Sequence, residues 1–176
     1  MPSVMVHGRF QPFHNEHLQY TLEGLARGGG TLVVGITNPF PNSDPEGCFS
    51  GDDHRHDGGA NPYSFLERAW MVKRSLLEEG VDLSGILVIP FHLDMLDHYT
   101  PLAKEVEMLV NVLEDWDEEK CRRFQEAGFS VVRFHRPRTM SGSQVRARLA
   151  GGKGIEHLVP GGTLSVLEGD VELAKL

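Results

Sequence analysis

Cysteine and long apolar runs are both scarce in this sequence. Its 176 residues include two cysteines, Cys48 and Cys121, which are too few for a disulfide framework. No apolar run approaches the ~18 residues of a transmembrane helix, and residues 1–11 lack the basic and then apolar order of a signal peptide. We therefore expect reduced thiols, a cytoplasmic protein and no membrane partner.

Positive charge is also in short supply. There are 17 Lys and Arg residues against 25 Asp and Glu residues, so the formal net charge is -8. This balance argues against a surface that coats nucleic acid, and no nucleic-acid partner is expected. Residues 127–155 are the exception, since they contain no acidic residue but carry Arg133, Arg136, Arg138, Arg146, Arg148 and Lys153. This basic segment predicts a local anion site, although charges that simply occupy separate solvated faces would give the same pattern.

Short apolar segments alternate with helical repeats along the chain. Strands are predicted at residues 4–7, 31–36, 86–91, 108–113 and 129–134. Helices are predicted at residues 15–27, from 61, at 115–127, from 141 and from about 162. The alternation predicts one α/β domain over residues 1–176, a Rossmann-like, doubly wound parallel sheet of about five strands with helices on both faces and a C-terminal helical segment over about 154–176. In such sheets the ligand binds at the carboxyl ends of the strands.

Capping residues predict where two of these helices begin. Asn15 is expected to cap the first helix, and Asn61 the second, with Pro62 at its first position. The buried stripe of the second helix is expected at Phe65, Ala69, Val72 and Leu76. Glu67 and Arg68 lie in the same helix and are expected to form a surface ion pair.

The turn after the first predicted strand holds the most specific string in the chain, GRFQPFHNEH at residues 8–17. His14 and His17 are three residues apart and can face the same way at a helix start, where unpaired N–H groups and the helix dipole attract phosphate. With the guanidinium of Arg9 they would bind a polyphosphate and neutralise charge on its leaving part. Two histidines that only cap a helix are the alternative for this pair taken alone, and a zinc site would need further ligands.

A second anion-binding helix start is predicted at Ser141. Ser141 and Gln144 fit a capping box, which by itself is a complete structural explanation. Gly142 leaves room for a ligand to approach the backbone, and Ser143 with the nearby N–H groups can bind phosphate. Arg146 lies one turn further on and would bind phosphate through two hydrogen bonds. Since these residues fall within the basic segment, a triphosphate site is the functional interpretation.

These strings resemble a known signature. Residues 8–17 resemble the turn of the nucleotidyltransferase superfamily with the His-x-Gly-His motif, and the chain is similar to nicotinamide mononucleotide adenylyltransferases of the archaeal type. The resemblance covers most of the chain, including residues 61–63, 67–68, 141–146 and 157–160. It implies transfer of a nucleoside monophosphate from a nucleoside triphosphate, ATP or CTP, to a small phosphate or phosphonate acceptor, by direct attack on the α-phosphorus and with release of pyrophosphate. Mg²⁺ bound with the triphosphate is the implied cofactor, and a homo-oligomer is the assembly that family members often form.

The resemblance assigns residues to roles. The residues expected to be catalytic are His14, His17 and Arg9. Those expected to bind the nucleotide are Gly8, Phe10, Gln11, Ser141, Gly142, Ser143 and Arg146. We further expect the acceptor to contact Asn38, Trp116 and Arg138. Trp116 would stack on an aromatic ring or simply pack against its neighbours, and no metal ligand is assigned to a protein side chain.

Three departures from the resemblance concern the active site. Glu16 replaces the glycine of the His-x-Gly-His motif, and we expect it to point away from the site because a favourable interaction with its own helix start explains it. Residues 37–41 (TNPFP) replace a Ser-His-Thr element, and residues 114–117 (EDWD) replace an Asn-containing turn. Such departures would also fit a branch of the superfamily that couples CMP from CTP to a small phosphonate in secondary metabolism.

Three functions are therefore compatible with the sequence. Adenylyl transfer to nicotinamide mononucleotide is placed first, with cytidylyl transfer to a small phosphonate close behind it. A nucleotide-binding module without catalysis is the third, although both histidines and the Ser-Gly-Ser helix start argue against it. The Asp- and His-rich residues 44–60 would form a solvated loop, a lid over substrate or a metal cluster built from Asp52, Asp53, His54, His56 and Asp57.

Overall fold

The sheet is parallel throughout and is built outwards from its first strand. The computed structural model describes residues 2–40 and 61–170. The strands are β1 (Ser3–Gly8), β2 (Leu32–Thr37), β3 (Ile86–Phe91), β4 (Val106–Asn111) and β5 (Ser130–Phe134). They pair in parallel in the order β3-β2-β1-β4-β5. The strands β2 and β3 are thus added on one side of β1, and β4 and β5 on the other, which confirms the doubly wound topology. The change of direction leaves a crevice between β1 and β4.

Helices cover both faces of this sheet. They are α1 (Asn15–Arg27), α2 (Phe65–Glu78), the short α3 (Thr100–Ala103), α4 (Asp115–Glu126), α5 (Gly142–Ala150) and α6 (Gly161–Leu167). Side chains alternate along β1, so that Val4 and Val6 pack in a core with α1, α2 and α6. Met5 packs on the opposite face with Cys121 and Phe124 of α4. Within the described residues, no helix is both long and apolar enough to cross a bilayer.

The start of α2 differs from the prediction. The helix begins at Phe65 with Ser64 as its N-cap, not at Pro62. The Glu67 N–H donates to Ser64 Oγ at 3.3 Å, and the Ser64 N–H donates to the Glu67 carboxylate at 2.8 Å. This reciprocal capping box satisfies two backbone donors at once. Asn61, the predicted cap, is buried before the helix instead.

Helix α2 places its predicted stripe against the sheet. Val72 and Leu76 are fully buried, while Phe65 and Ala69 are partly buried and pack against the same core. Helix α6 lies against α2, and a Cβ at Gly162 would come within 2.4 Å of the Ser75 nitrogen, so only glycine permits this close approach.

The domain bounds 1–176 stay a prediction, since residues 171–176 are not among those described.

Candidate active site at the carboxyl ends of the strands

The β1–α1 turn brings two imidazole rings together at the start of α1. The helix is capped by His14 rather than by Asn15 as predicted, and the His14 backbone N–H donates to Nδ1 of His17 at 3.3 Å. That contact leaves the proton of the neutral His17 ring on Nε2. The two rings stack with their centroids 3.5 Å apart and their planes at 20°. The side chains therefore face the same way, as their spacing predicts.

Burial keeps both imidazoles neutral. It lowers the pKa of His14 to about 4, with Glu16 opposing the shift and Arg138 adding to it. Burial also holds the pKa of His17 well below its ordinary value, and the nearby His14 and Arg138 act in the same direction. A polyphosphate placed against these rings would raise both pKa values, because an opposite charge favours the protonated form.

Helix α5 begins against this turn. Ser141 and Gln144 form the predicted capping box, with the Ser141 N–H donating to Gln144 Oε1 at 2.8 Å and the Gln144 N–H donating to Ser141 Oγ at 3.3 Å. A Cβ at Gly142 would lie 2.4 Å from the carbonyl oxygen of Gln11, so the close contact requires glycine. The Arg146 guanidinium donates to the same carbonyl oxygen. Two helix N-termini that are remote in sequence thus meet at one edge of the crevice.

A cavity of about 340 Å³ lies between these helix starts and the ends of the strands. Every residue predicted for the site lines it. These residues are Gly8, Arg9, Phe10, Gln11, His14, His17, Asn38, Trp116, Arg138, Ser141, Gly142, Ser143 and Arg146. The segments that follow β1, β2, β4 and β5 all contribute, as expected for a parallel sheet.

Gln11 lines the cavity but uses its side chain to hold the turn. Its amide nitrogen donates to the Tyr63 carbonyl at 2.9 Å, and its amide oxygen accepts the Tyr63 N–H at 3.0 Å. Only 3% of the residue is exposed. This pair of bonds connects the β1–α1 turn to the segment that precedes α2.

Glu16 does not point away from the site, so that expectation is wrong. Its carboxylate accepts hydrogen bonds from the N–H of Thr139 at 2.9 Å and from the Thr139 hydroxyl at 2.5 Å, and it lines the cavity. Burial would raise the pKa of Glu16, but the bonds from Thr139 outweigh it and lower the pKa below its ordinary value. The prediction considered only the start of α1, whereas the carboxylate reaches the segment before α5 and links the two.

The three residues predicted for the acceptor lie in different settings. Asn38 follows β2 with a left-handed backbone, at φ 47. Trp116 lines the cavity and also packs against Arg123, whose guanidinium carbon is 5.3 Å from the ring centroid. Arg138 is exposed at the cavity edge. Trp116 therefore packs against a neighbour, and stacking on an aromatic ring of a ligand stays a prediction.

Arg68 lies within the resemblance, but its part in building the site was not predicted. It is fully buried, and the expected surface pair with Glu67 is wrong because Glu67 is used in the cap of α2. Its guanidinium donates to five backbone carbonyl oxygens, those of Ser64, Arg9, Thr37, Asn38 and Pro39. A signal was present, since Arg68 lies four residues before Val72 and therefore on the buried face of α2.

These bonds fix the two segments that carry Arg9 and Asn38. The distances from the guanidinium to the Arg9, Thr37 and Asn38 carbonyl oxygens are 2.8 Å each. Burial and the nearby Arg9 lower the pKa of Arg68 to about 10, which leaves the guanidinium charged at neutral pH. A buried charge is tolerated here because its donors are satisfied.

A further part of the cavity lies beyond the predicted residues, around β4 and α4. The side chain of Asn111 donates to the Arg136 carbonyl at 2.9 Å and accepts the Arg136 N–H at 2.8 Å. Lys120 pairs with Asp117 across 2.6 Å. These side chains line the cavity with His7. Asp117 belongs to the EDWD string at residues 114–117, whereas Asn111, Lys120 and His7 lie outside the strings named above, and no local pattern singled them out.

Within residues 2–40 and 61–170, no group of three or more His, Cys, Asp or Glu side chains is placed to hold a metal ion. The Asp- and His-rich residues 44–60 lie outside the described residues, as does Cys48.

A doubly wound sheet with two helix N-termini and a histidine pair at the change of strand direction defines an α/β enzyme that binds phosphorylated ligands.

No family model matches the chain. It is 39% identical to the phosphonoformate cytidylyltransferase of Streptomyces viridochromogenes over 161 residues, which span 89% of this chain and 85% of that protein. It is 30% identical to the nicotinamide-nucleotide adenylyltransferase of Methanoculleus marisnigri over 168 residues, 91% of this chain and 86% of that one. The chain belongs to the nucleotidyltransferase family of these two relatives and is a nucleotidyltransferase, which confirms the predicted enzyme class.

Solved structures share the fold. A bifunctional NMN adenylyltransferase/ADP ribose pyrophosphatase from Francisella tularensis, complexed with AMP and a manganese ion, superposes with a TM-score of 0.65 at 18% identity. The match covers 98% of this chain and 50% of that one. The predicted Rossmann-like α/β fold is thereby confirmed.

Proposed function

We propose that this nucleotidyltransferase transfers CMP from CTP to a small phosphonate and releases pyrophosphate. The contact between two helix N-termini at a single cavity carries the assignment of a triphosphate site. The 39% identity to a phosphonoformate cytidylyltransferase over most of both chains supports CTP and a phosphonate. This choice reverses the order in which the motifs placed the two transfer reactions.

The triphosphate would lie between α1 and α5. Arg9, Ser143 and the backbone N–H groups at the α5 start would bind the β- and γ-phosphates, because a helix N-terminus favours anions. Arg146 donates to Ser143 Oγ at 3.2 Å as well as to the β1–α1 turn, so that its guanidinium already lies at the α5 start. It would add charge-assisted hydrogen bonds to the same phosphates.

His14 and His17 would act on the reacting phosphates. A phosphonate oxygen of the acceptor attacks the α-phosphorus, a P–O bond forms, and the bond from the α-phosphorus to the bridging oxygen of pyrophosphate breaks. Both rings are neutral before binding, since burial lowers the pKa values of His14 and His17. Negative charge at the α-phosphate would raise these pKa values, so that the rings donate hydrogen bonds where charge develops.

A divalent cation, Mg²⁺ by our proposal, would enter with the triphosphate. When bound, it supplies charge neutralisation at the phosphate oxygens. Glu16 is committed to Thr139, and the described part of the chain offers no carboxylate cluster to replace the phosphate ligands. In this proposal the cation is therefore bound mainly by the phosphate oxygens of the nucleotide.

Adenylyl transfer to nicotinamide mononucleotide is the second candidate. The observation that favours it is the 30% identity to an archaeal nicotinamide-nucleotide adenylyltransferase over 91% of this chain. The two candidates share the triphosphate site and differ in the base and the acceptor. Both therefore predict the same effect of substitutions at the histidine pair.

A substrate matrix separates these functions. The purified protein with Mg²⁺ is offered each of the four nucleoside triphosphates against phosphonoformate and nicotinamide mononucleotide, and released pyrophosphate is measured. We expect the highest kcat/KM with CTP and phosphonoformate. Turnover confined to ATP and nicotinamide mononucleotide would establish the second candidate instead. Tight binding of a triphosphate without pyrophosphate release from any pair would support the non-catalytic module.

A further inference from the structure

One charged pair at the cavity belongs to neither of the two phosphate-binding motifs. Asp117 and Lys120 lie on α4, one turn apart, and both line the cavity together with Trp116. The pair lies at the carboxyl end of β4, whereas the α5 start lies against Gln11 of the β1–α1 turn. In the proposed function the triphosphate tail lies between α1 and α5, so that the group that meets this pair would be another part of the substrates.

Lys120 is held in a fixed place. Its Nζ lies 2.6 Å from Asp117 Oδ1, and its side chain is only 16% exposed. Lysine side chains normally keep their ammonium group in water, because burying a charge is costly. An ammonium group has three N–H donors, so the pair with Asp117 leaves two that a ligand in the cavity could use.

The charge of Asp117 is compensated by the backbone as well as by Lys120. Its second carboxylate oxygen accepts the N–H of Leu113 at 3.0 Å and the N–H of Glu114 at 3.2 Å, at the start of α4. A carboxylate at a helix N-terminus is stabilised by these donors and by the helix dipole. These bonds hold Asp117 in place, and Asp117 in turn fixes the position of the Lys120 ammonium group.

His7 lines the cavity beside Lys120 and is backed by two aromatic rings. His7 contacts Phe124 edge-on with ring centroids 5.2 Å apart, and contacts Phe91 at 6.1 Å. Both phenylalanines are fully buried. Burial lowers the pKa of His7 to about 3, so that this ring is neutral, and the charges that act on it are those of Lys120 and Asp117. Lys120 is therefore the cation that an anionic group of a ligand would meet at this part of the cavity.

We propose that Lys120 selects acceptors that carry a carboxylate in addition to the reacting phosphonate. The phosphonate must lie near the histidine pair to attack the α-phosphorus, so that the group that meets Lys120 is the other end of the acceptor. Two remaining N–H donors match the two oxygens of a carboxylate. This inference rests on the proposed function, since it names the acceptor class of that same cavity.

The test compares two acceptors that differ by the carboxylate. With CTP, the kcat/KM values of phosphonoformate and methylphosphonate are measured for the wild type and for Lys120→Met, which keeps the length of the side chain and removes its charge. We expect the wild type to prefer phosphonoformate and Lys120→Met to lose about 10- to 100-fold of that preference, the range for a charged hydrogen bond. Lys120→Arg should recover part of it. Lys104→Met, at an exposed lysine outside the cavity, is the matched control.

Two further measurements keep the outcome clear. Calorimetric titration with CTP should give the same affinity for the wild type and for Lys120→Met, which checks the fold and the nucleotide site. If Lys120→Met fails this check, the acceptor comparison is made with Lys120→Gln instead. Titration of phosphonoformate into protein saturated with a non-hydrolysable CTP analogue should show tighter binding to the wild type.

The possible failures are distinguishable. Equal losses with both acceptors, or equal binding of phosphonoformate to wild type and variant, would overturn the role of Lys120 while leaving cytidylyl transfer intact. No pyrophosphate from any CTP and phosphonate pair would overturn the proposed function. A wild type that also fails to bind phosphonoformate would overturn the inference about Lys120 as well.

Discussion

The two ends of the cavity are built in different ways. At the nucleotide end, the β1–α1 turn and the α5 start consist of contiguous strings, and Gln11 and Gly142 fit them together by direct backbone contact. At the end proposed for the acceptor, Asn38 follows β2 whereas Trp116 and Lys120 lie on α4, so that no contiguous string contains all three. If these roles are correct, the chemistry shared by the family lies in short motifs, whereas acceptor choice lies in residues that only packing brings together.

The largest effect is expected at the nucleotide end. His17→Ala should lower kcat by about 10²–10³-fold, the scale for loss of one transition-state donor, while nucleotide affinity changes little. Pyrophosphate release under saturating substrates measures the effect. His98→Ala, at an exposed histidine outside the cavity, serves as the control. Unchanged turnover in His17→Ala would show that the histidine pair is only a helix cap.

A substitution at Arg146 examines whether the α5 start belongs to the nucleotide end. Arg146→Ala should weaken triphosphate binding by about 1.5–3 kcal/mol, the range for hydrogen bonds to a charged group, and should leave the preference between acceptors unaltered. Calorimetry with CTP provides the measurement, and Arg148→Ala is a control in the same helix, where the side chain binds the Gly154 carbonyl instead. Equal affinity in Arg146→Ala would remove α5 from the site.

Acid should destabilise the cavity walls at both ends. The folded-state pKa values of His7 and His14 are about 3 and about 4, below the ordinary value of 6.5. The unfolded chain thus binds protons first as the pH falls, and the free energy of unfolding should decrease from about pH 6.5 downwards, by about 1–2 kcal/mol per histidine at pH 5.

Urea titrations at pH 7.5 and pH 5 measure this loss. Substitution of His7 by Phe, which keeps the aromatic packing, should reduce the difference between the two pH values. A difference of the same size in wild type and His7→Phe would mean that other groups cause the acid sensitivity.

The smallest effect is expected at the contact between Glu16 of α1 and Thr139, in the segment before α5. Glu16→Gly restores the glycine of the His-x-Gly-His motif and removes the bonds to Thr139. We expect a loss of about 0.5–1.5 kcal/mol in the free energy of unfolding, the usual net value of a hydrogen bond, with little change in kcat. Denaturant unfolding and pyrophosphate release check the two parts. A large fall in kcat would give Glu16 a direct part in the reaction.

Local patterns predicted much of the fold and of the nucleotide end. The strand and helix order follows from hydrophobic periodicity, and the Ser141 cap follows from the Ser-x-x-Gln spacing. The start of α2 was misplaced because Asn61-Pro62 and Ser64-Glu67 are both plausible caps, and only the geometry of the chain decides between them. Arg68 was assigned to the surface because charged side chains usually are solvated.

The sequence alone determined which residues line the proposed triphosphate site, because they lie within two stretches whose own backbone conformation sets their spacing. Only the tertiary structure decided that Arg68 is buried beneath two loops, that Glu16 reaches Thr139, and that Lys120 lines the cavity. Each of these contacts joins segments far apart in the chain. Their formation depends on how helices pack on the sheet, which is a property of the whole fold and not of any local string.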